Sequence, residues 1–277
     1  MVRIEFVEQR RPFAALAGGT VIGALGGLIG LGGAEFRLPL LLSIFRFPPL
    51  EAIILNKATS LIVVASALLF RSKSVPVAEM LAHAAVMIDL LVGSLVGAWL
   101  GASCATRMRG TTLYKVIAVL LVAIAAVLLF SHSVTGAGSA AFDGWTLWVA
   151  GAIAGLVIGC VASLLGVAGG ELLIPTLVLL FGIDIKLAGS LSLAVSLPTM
   201  LVGFTRYSRH RSFAVLAQQK GFLLWIAMGS ILGTFMGALL LGYTSPEILL
   251  PLLASVLLIS ALKIWRQSRS LTRADPA

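Results

Sequence analysis

Apolar runs divided by short polar connectors organise the chain from end to end. Phe13 to Gly33, Leu50 to Phe70, Ala78 to Ala105 and Leu113 to Phe130 are followed by Trp145 to Gly170, Leu187 to Thr205, Phe222 to Leu241 and Ile248 to Trp265. A helix needs roughly 20 residues at 1.5 Å each to cross about 30 Å of hydrocarbon, and most of these runs meet that length. None alternates apolar and polar positions as a strand would. Only helices and closed barrels satisfy every backbone group in lipid, so the runs predict transmembrane helices. Two more apolar stretches, Phe36 to Phe45 and Leu172 to Phe181, each contain a proline and are too short to cross alone. No stretch is left that would make a soluble domain.

The pattern is duplicated. Sliding the chain against itself by 136 residues, without a gap, pairs Gly19, Gly23, Gly30, Gly33, Glu35, Pro39 and Phe45 with Gly155, Gly159, Gly166, Gly169, Glu171, Pro175 and Phe181. The same offset pairs Ala52, Leu55, Ala58, Ser60 and Leu61 with Ala188, Leu191, Ala194, Ser196 and Leu197, then Gly93, Ser94, Gly97, Gly101 and Ala102 with Gly229, Ser230, Gly233, Gly237 and Ala238. The expected fold is therefore an all-α polytopic membrane protein with two tandem homologous repeats of about four helices. The first repeat covers 1–135 and the second 136–277, within one integral membrane domain, and the Ser- and Gly-rich segment Ser131 to Gly144 joins them. Met1 to Arg11 is charged and precedes an apolar run, as in a secretory leader. The run Phe13 to Leu31 is too long for a leader's apolar region and belongs to the repeat, so it reads as the first helix.

Composition agrees, with 59% hydrophobic and 11% charged residues, against about 25% charged in a typical soluble domain. The net charge of +9 would suggest nucleic acid in a soluble chain. Here Lys and Arg cluster in connectors and the tail, which is topology control by positive-inside loops rather than nucleic-acid binding. Each repeat opens with a Gly-broken segment plus its short continuation, and this pair either folds back as a re-entrant hairpin or crosses once. With hairpins, Met1 to Pro12, Arg46 to Pro49, Thr106 to Thr112 with Lys115, Arg206 to Lys220 and the tail from Lys263 share a side, carrying 15 Lys and Arg against 3. With single crossings the split is 13 to 5. Both arrangements put both termini in the cytoplasm, and the hairpin arrangement makes the two repeats inverted, which suits alternating access around a midplane site.

The two breaks, Gly30-Leu-Gly-Gly-Ala-Glu-Phe-Arg-Leu-Pro39 and Gly166-Val-Ala-Gly-Gly-Glu-Leu-Leu-Ile-Pro175, each followed by an Ala/Ser/Thr-rich span, resemble the sulfite exporter TauE/SafE family over nearly the whole chain. The first copy has Ala34 where the motif usually carries a third glycine. The resemblance implies a bacterial inner-membrane permease of about eight helices that exports sulfite, sulfoacetate or related organosulfur anions.

Paired glycines followed by proline favour local unwinding, and non-helical backbone at membrane depth is tolerated only inside protein or along a watery cavity. Breaks at equivalent places in two halves therefore point to a transport site, where Gly32, Gly33, Gly169 and Gly170 would offer backbone N–H groups and a positive helix end to an oxyanion. Glu35 and Glu171 follow the breaks, and either carry protons for coupling or cap the first turn of their helices. A carboxylate beside an anion site repels the substrate unless it is protonated.

Where the halves differ is more informative, since one small ligand needs asymmetry. Arg37 falls opposite Leu173, Lys57 opposite Leu193, Asn56 opposite Ser192 and Asp89 opposite Trp225. Arg37 and Lys57, with Asn56, Thr59, Ser60, Ser192 and Ser196, are the expected contacts of an anionic substrate. The competing reading neutralises Lys57 with Asp89 or Glu35, or lets Arg37 snorkel.

Gly93, Gly97 and Gly101, like Gly229, Gly233 and Gly237, recur every fourth residue, which predicts close helix packing within the chain or, alternatively, a homodimer interface. Cys104 and Cys160 lack CxxC or Cys/His spacing and read as free thiols, and His83 reads as incidental, so no metal site or cofactor is expected. Arg206 to Lys220 reads as an anchor against acidic lipid. An anion channel, which shares the breaks, or a permease for an unrelated small organic anion is the alternative to a secondary transporter of sulfur anions. No Ser/His pair, HExxH or nucleotide loop suggests an enzyme.

Overall fold

The structure is a computed structural model that describes residues 12–29, 33–71, 77–130, 144–240 and 254–266. Among them all regular structure is helical. The first half contributes α1 (Pro12–Ile29), α2 (Ala34–Ser43), α3 (Pro49–Arg71), α4 (Val77–Ala82), α5 (Ala84–Arg107) and α6 (Gly110–Phe130). The second contributes α7 (Trp145–Leu165), α8 (Gly170–Phe181), α9 (Ile185–Tyr207), α10 (Val215–Gln218), α11 (Lys220–Leu240) and α12, residues 254–266. Parts of α3, α5, α7, α9 and α11 are long and apolar enough to cross a membrane, while α1, α6 and α8 hold shorter apolar stretches. The boundary between residues 135 and 136, and the start of the last expected span, lie outside the described residues.

One expected span is interrupted. Ala78 to Ala105 is not continuous, because the chain bends at His83 (φ −104°, ψ 21°) between α4 and α5. The His83 ring Nδ1 lies 3.2 Å from the Glu79 carbonyl oxygen, and the His83 amide donates to the Met80 carbonyl instead, so the regular i to i−4 ladder is lost there. The second half has short elements at the equivalent place, the 3₁₀ turn Arg211–Ala214 and α10.

Each Gly-broken segment folds back on itself. Gly33 at the start of α2 lies against the Ile22 carbonyl oxygen, whereas Leu40 further along α2 lies against Gly18, earlier in α1. The same reversal occurs in the second half, where Gly169 sits beside Ala162 and Ile158, and Phe181 reaches Gly151 and stacks 6.5 Å from Trp148. The hairpin therefore describes both breaks. Contacts at one face of the bundle agree: Phe45 and Phe47 pack their rings 4.8 and 5.2 Å from Phe222, and Phe13 lies 6.3 Å from Trp225. At the ends of α5 and α9, Arg206 Nε donates to Ser103 Oγ at 2.7 Å, and Arg206 and Arg209 both stack over Trp99. Single crossings would set Arg46 to Pro49 and Thr106 to Thr112 on the face opposite Arg206 to Lys220. The contacts gather them on one.

The small-residue stripes join the two halves. A Cβ on Gly93, Gly97 or Gly101 would strike the backbone oxygens of Ala152, Leu156 or Cys160, so α5 lies directly on α7. On the other side Gly229 and Gly233 meet the oxygens of Leu16 and Thr20, which brings α11 onto α1. These contacts are related by the 136-residue offset at both ends. Both seams are parallel: α1 enters from the basic face beside the start of α11, while α5 ends there and brings α7 in from the opposite face. Lipid tails are as apolar as these side chains and supply no hydrophobic drive between helices. Close backbone approach, permitted by glycine, supplies the dispersion contact that holds the seams.

Candidate functional site

The two breaks converge on one side chain. Asn56, buried in α3, donates from Nδ2 to the Ala34 carbonyl at 3.0 Å and to the Leu165 carbonyl at 3.1 Å. It thus ties the start of α2 to the end of α7, one from each half. The last carbonyls of a helix have no partner within it, and in lipid no bulk water replaces one. Tyr207 adds a second donor to the Ser163 carbonyl at 2.8 Å, which also accepts from the Gly166 amide at 3.2 Å. Gly166, Gly33 and Gly169 all adopt positive φ (68°, 68° and 84°), which lets the chain reverse without strain, and Gly166 also packs against the backbone oxygen of Ile53.

At the far side of each break a short helix begins. Neither α2 nor α8 has a side-chain cap, since glycine occupies both N-cap positions. The alanine that replaces glycine at position 34 does not change the geometry, because α2 starts at Ala34 and α8 at the equivalent Gly170. Pro39 and Pro175 lack the N–H that would serve the carbonyls of Glu35 and Glu171 four residues back. Polar backbone is thus concentrated where the two halves meet.

Arg37 is fully buried one turn into α2. Its Nε donates to Asn56 Oδ1 at 2.8 Å, one terminal nitrogen donates to Ser230 Oγ at 3.0 Å, and the other to Ser60 Oγ. These bonds engage three of its five N–H groups. Lys57, also fully buried, donates from Nζ to Ser163 Oγ at 3.3 Å and lies close to Gly203, where a Cβ would come within 2.9 Å of Nζ. Neither cation forms an ion pair among the described residues. Asp89, the alternative partner for Lys57, is instead on the α5/α7 seam against Gly151 with Oδ2 unpartnered.

Of the residues expected at the site, the structure brings together Arg37, Asn56 and Ser60, with Lys57 next to Asn56 on α3. Gly33, Gly169 and Gly170 form the breaks, whereas Gly32 lies outside the described residues. Thr59 and Ser192 donate to their own helices, to Leu55 at 2.8 Å and Gly189 at 2.9 Å, and make no bond to Arg37. Ser196, the counterpart of Ser60, is buried with an unpartnered Oγ, and the residue in register with Arg37 is Leu173, which has no side-chain donor. Glu35 and Glu171 are buried with their carboxyl groups within hydrogen-bonding reach of each other, and no donor from another residue serves any of the four carboxyl oxygens.

Two partners were not singled out from the sequence, Ser230 and Ser163. Ser230 had a signal in its register with Ser94, which in the other half bonds to Thr199 at 2.7 Å. Ser163 aligns with Gly27 and carried none.

The family model described as sulfite exporter TauE/SafE matches residues 4–128 and 150–277. The two matched segments fall one on each repeat. No curated protein and no solved structure matches the chain.

Proposed function

The chain belongs to the sulfite exporter TauE/SafE family, a family of membrane transporters, and from that premise we propose that it is a secondary transporter exporting small sulfur oxyanions such as sulfite or sulfoacetate. The observation that carries the reading is the buried pair of cations, Arg37 and Lys57, neither in an ion pair among the described residues, beside the meeting point of two broken helices. Desolvated positive charge in a membrane is costly, and an anion bound there offsets that cost. The two remaining N–H groups of the guanidinium can donate to two oxygens of one sulfonate or sulfite group. The second half supplies leucines at the same two positions, which limits the site to one anion.

The hairpins make the halves opposite in sense, an arrangement that suits alternating access around a midplane site. The face bearing Arg46, Arg107, Arg109, Arg206, Arg209 and Arg211 is the cytoplasmic one by the positive-inside rule, in a bacterial inner membrane. Cysteines introduced at Ser72 and Ser133 are expected to react with an impermeant maleimide added outside intact cells, and one at Ser208 only after lysis. Labelling of all three from the same side would overturn this orientation.

Lys57→Ala is expected to abolish uptake of sulfite and of sulfoacetate into inverted vesicles. Lys57→Arg keeps the charge but sets a larger head against Gly203 and Ser163, so it should retain only part of the rate. Wild-type uptake by the alanine variant would remove Lys57 from the anion site. Single-channel conductance through the reconstituted protein would favour the channel alternative over a transporter.

A further inference from the structure

We propose that Glu35 and Glu171 act as one unit, a carboxyl and carboxylate that hold a single proton between them and couple its movement to that of the anion. This rests on the anion site described above and names its coupling ion. Sequence alone offered two separate candidates, one per half. The fold brings them to a single place: each is the second residue of its half-helix, and Asn56 draws the start of α2 and the end of α7 together. Both side chains are at most 3% exposed, they lie within hydrogen-bonding reach of each other, and no donor from another residue serves any of their four oxygens. Unpartnered buried polar atoms call for an explanation, and one proton shared by two carboxyl groups gives each an otherwise missing partner. Two adjacent carboxylates cannot both remain ionised away from water.

The charged surroundings favour a proton over a metal cation. Arg37, two residues beyond Glu35, is the cation nearest the pair, and it would repel sodium. Lys57 on α3 turns to Ser163, and Asp89 on α5 faces α7 at Gly151. α1 has no charged residue, and α9 and α11 carry theirs only at the ends, Lys186, Arg206 and Lys220. Proton uptake cancels one negative charge near Arg37, so it strengthens anion binding, and the anion must strengthen proton binding by the same factor. Proton and anion therefore travel in the same direction.

The test uses the full-length protein in proteoliposomes with sulfoacetate, which is ionised at both ends near neutral pH and brings no proton of its own. An imposed sulfoacetate gradient should drive proton movement in the same direction, read by an internal pH dye and unaffected by replacing sodium. Glu35→Gln, Glu171→Gln and the double variant should each keep sulfoacetate exchange at zero gradient yet lose proton flux to the level of protein-free vesicles, with the double variant no worse than either single one. A substrate-independent arm reads the carbonyl stretch of a protonated carboxylic acid by infrared difference spectroscopy. That band should be present in the wild type at neutral pH, shift in both single variants and vanish in the double. Proton flux surviving in either single variant, sodium dependence, or no such band in the wild type would overturn the shared proton. Failure of sulfoacetate exchange in the wild type would count against the anion reading alone, and the infrared band would still decide the pair.

Discussion

Arg37→Ala is expected to eliminate anion transport and to destabilise the protein by about 3 kcal/mol or more, because it leaves three buried acceptors without a donor. Asn56, Ser60 and Ser230 come from α3 and α11, so a single guanidinium cross-links the first half's break to a span of the second half. The stability loss should appear as faster aggregation in detergent at fixed temperature. That rate is the right observable where unfolding is irreversible. Arg37→Lys separates the two roles. A lysine keeps the charge but cannot reach three acceptors in a planar fork, so it should fold less stably than wild type and still accept an anion with reduced affinity. If the lysine variant transports as the wild type does while its lifetime falls, Arg37 serves the scaffold alone and Lys57 carries the anion.

The second large effect belongs to the seams. Gly97→Val should prevent accumulation of folded protein, because its Cβ would overlap the Leu156 oxygen and come within 2.9 Å of the Cys160 amide nitrogen, both backbone atoms of α7. Overpacking a buried site usually costs about 1–3 kcal/mol when side chains can yield, and here the obstructing atoms cannot. Gly233→Val repeats the experiment at the other seam, against Thr20 and Ala24. Gly110→Ala and Gly221→Ala are the controls. Neither has an atom within 4 Å of a new Cβ, so both should behave as wild type in size-exclusion chromatography. A monodisperse Gly97→Val protein with normal lifetime would show that the halves are not held by this contact.

The α5/α7 and α11/α1 contacts also account for the fourfold glycine spacing. The spacing itself required a close helix neighbour, but the identity of that neighbour depends on how the halves interlock. A stripe of small residues looks the same whether it faces its own half, the other half or a second copy. Only the approach of Gly97 to Leu156, and of Gly233 to Thr20, selects the contact between halves.

What the sequence determined by itself was the solvent and the symmetry. Long apolar runs can satisfy their backbone groups in lipid only as helices, and a gap-free 136-residue register of glycines, prolines and glutamates requires two copies of one unit. It also exposed the asymmetry that matters, Arg37 and Lys57 against Leu173 and Leu193, because a substitution within a repeat is visible without coordinates. Tertiary structure decided what depends on distance. The charge count of 15 to 3 against 13 to 5 could not choose between hairpin and crossing, since it weighs connectors without locating them, whereas the rings of Phe45 and Phe47 against Phe222 did. The break at His83 was hidden because the apolar run continues through it while the hydrogen-bond ladder does not. Ser230 and Ser163 became partners of the buried cations only through folding, 193 and 106 residues away along the chain. No local pattern encodes such pairs, because hydrogen bonding acts over about 3 Å of space whatever the separation in sequence.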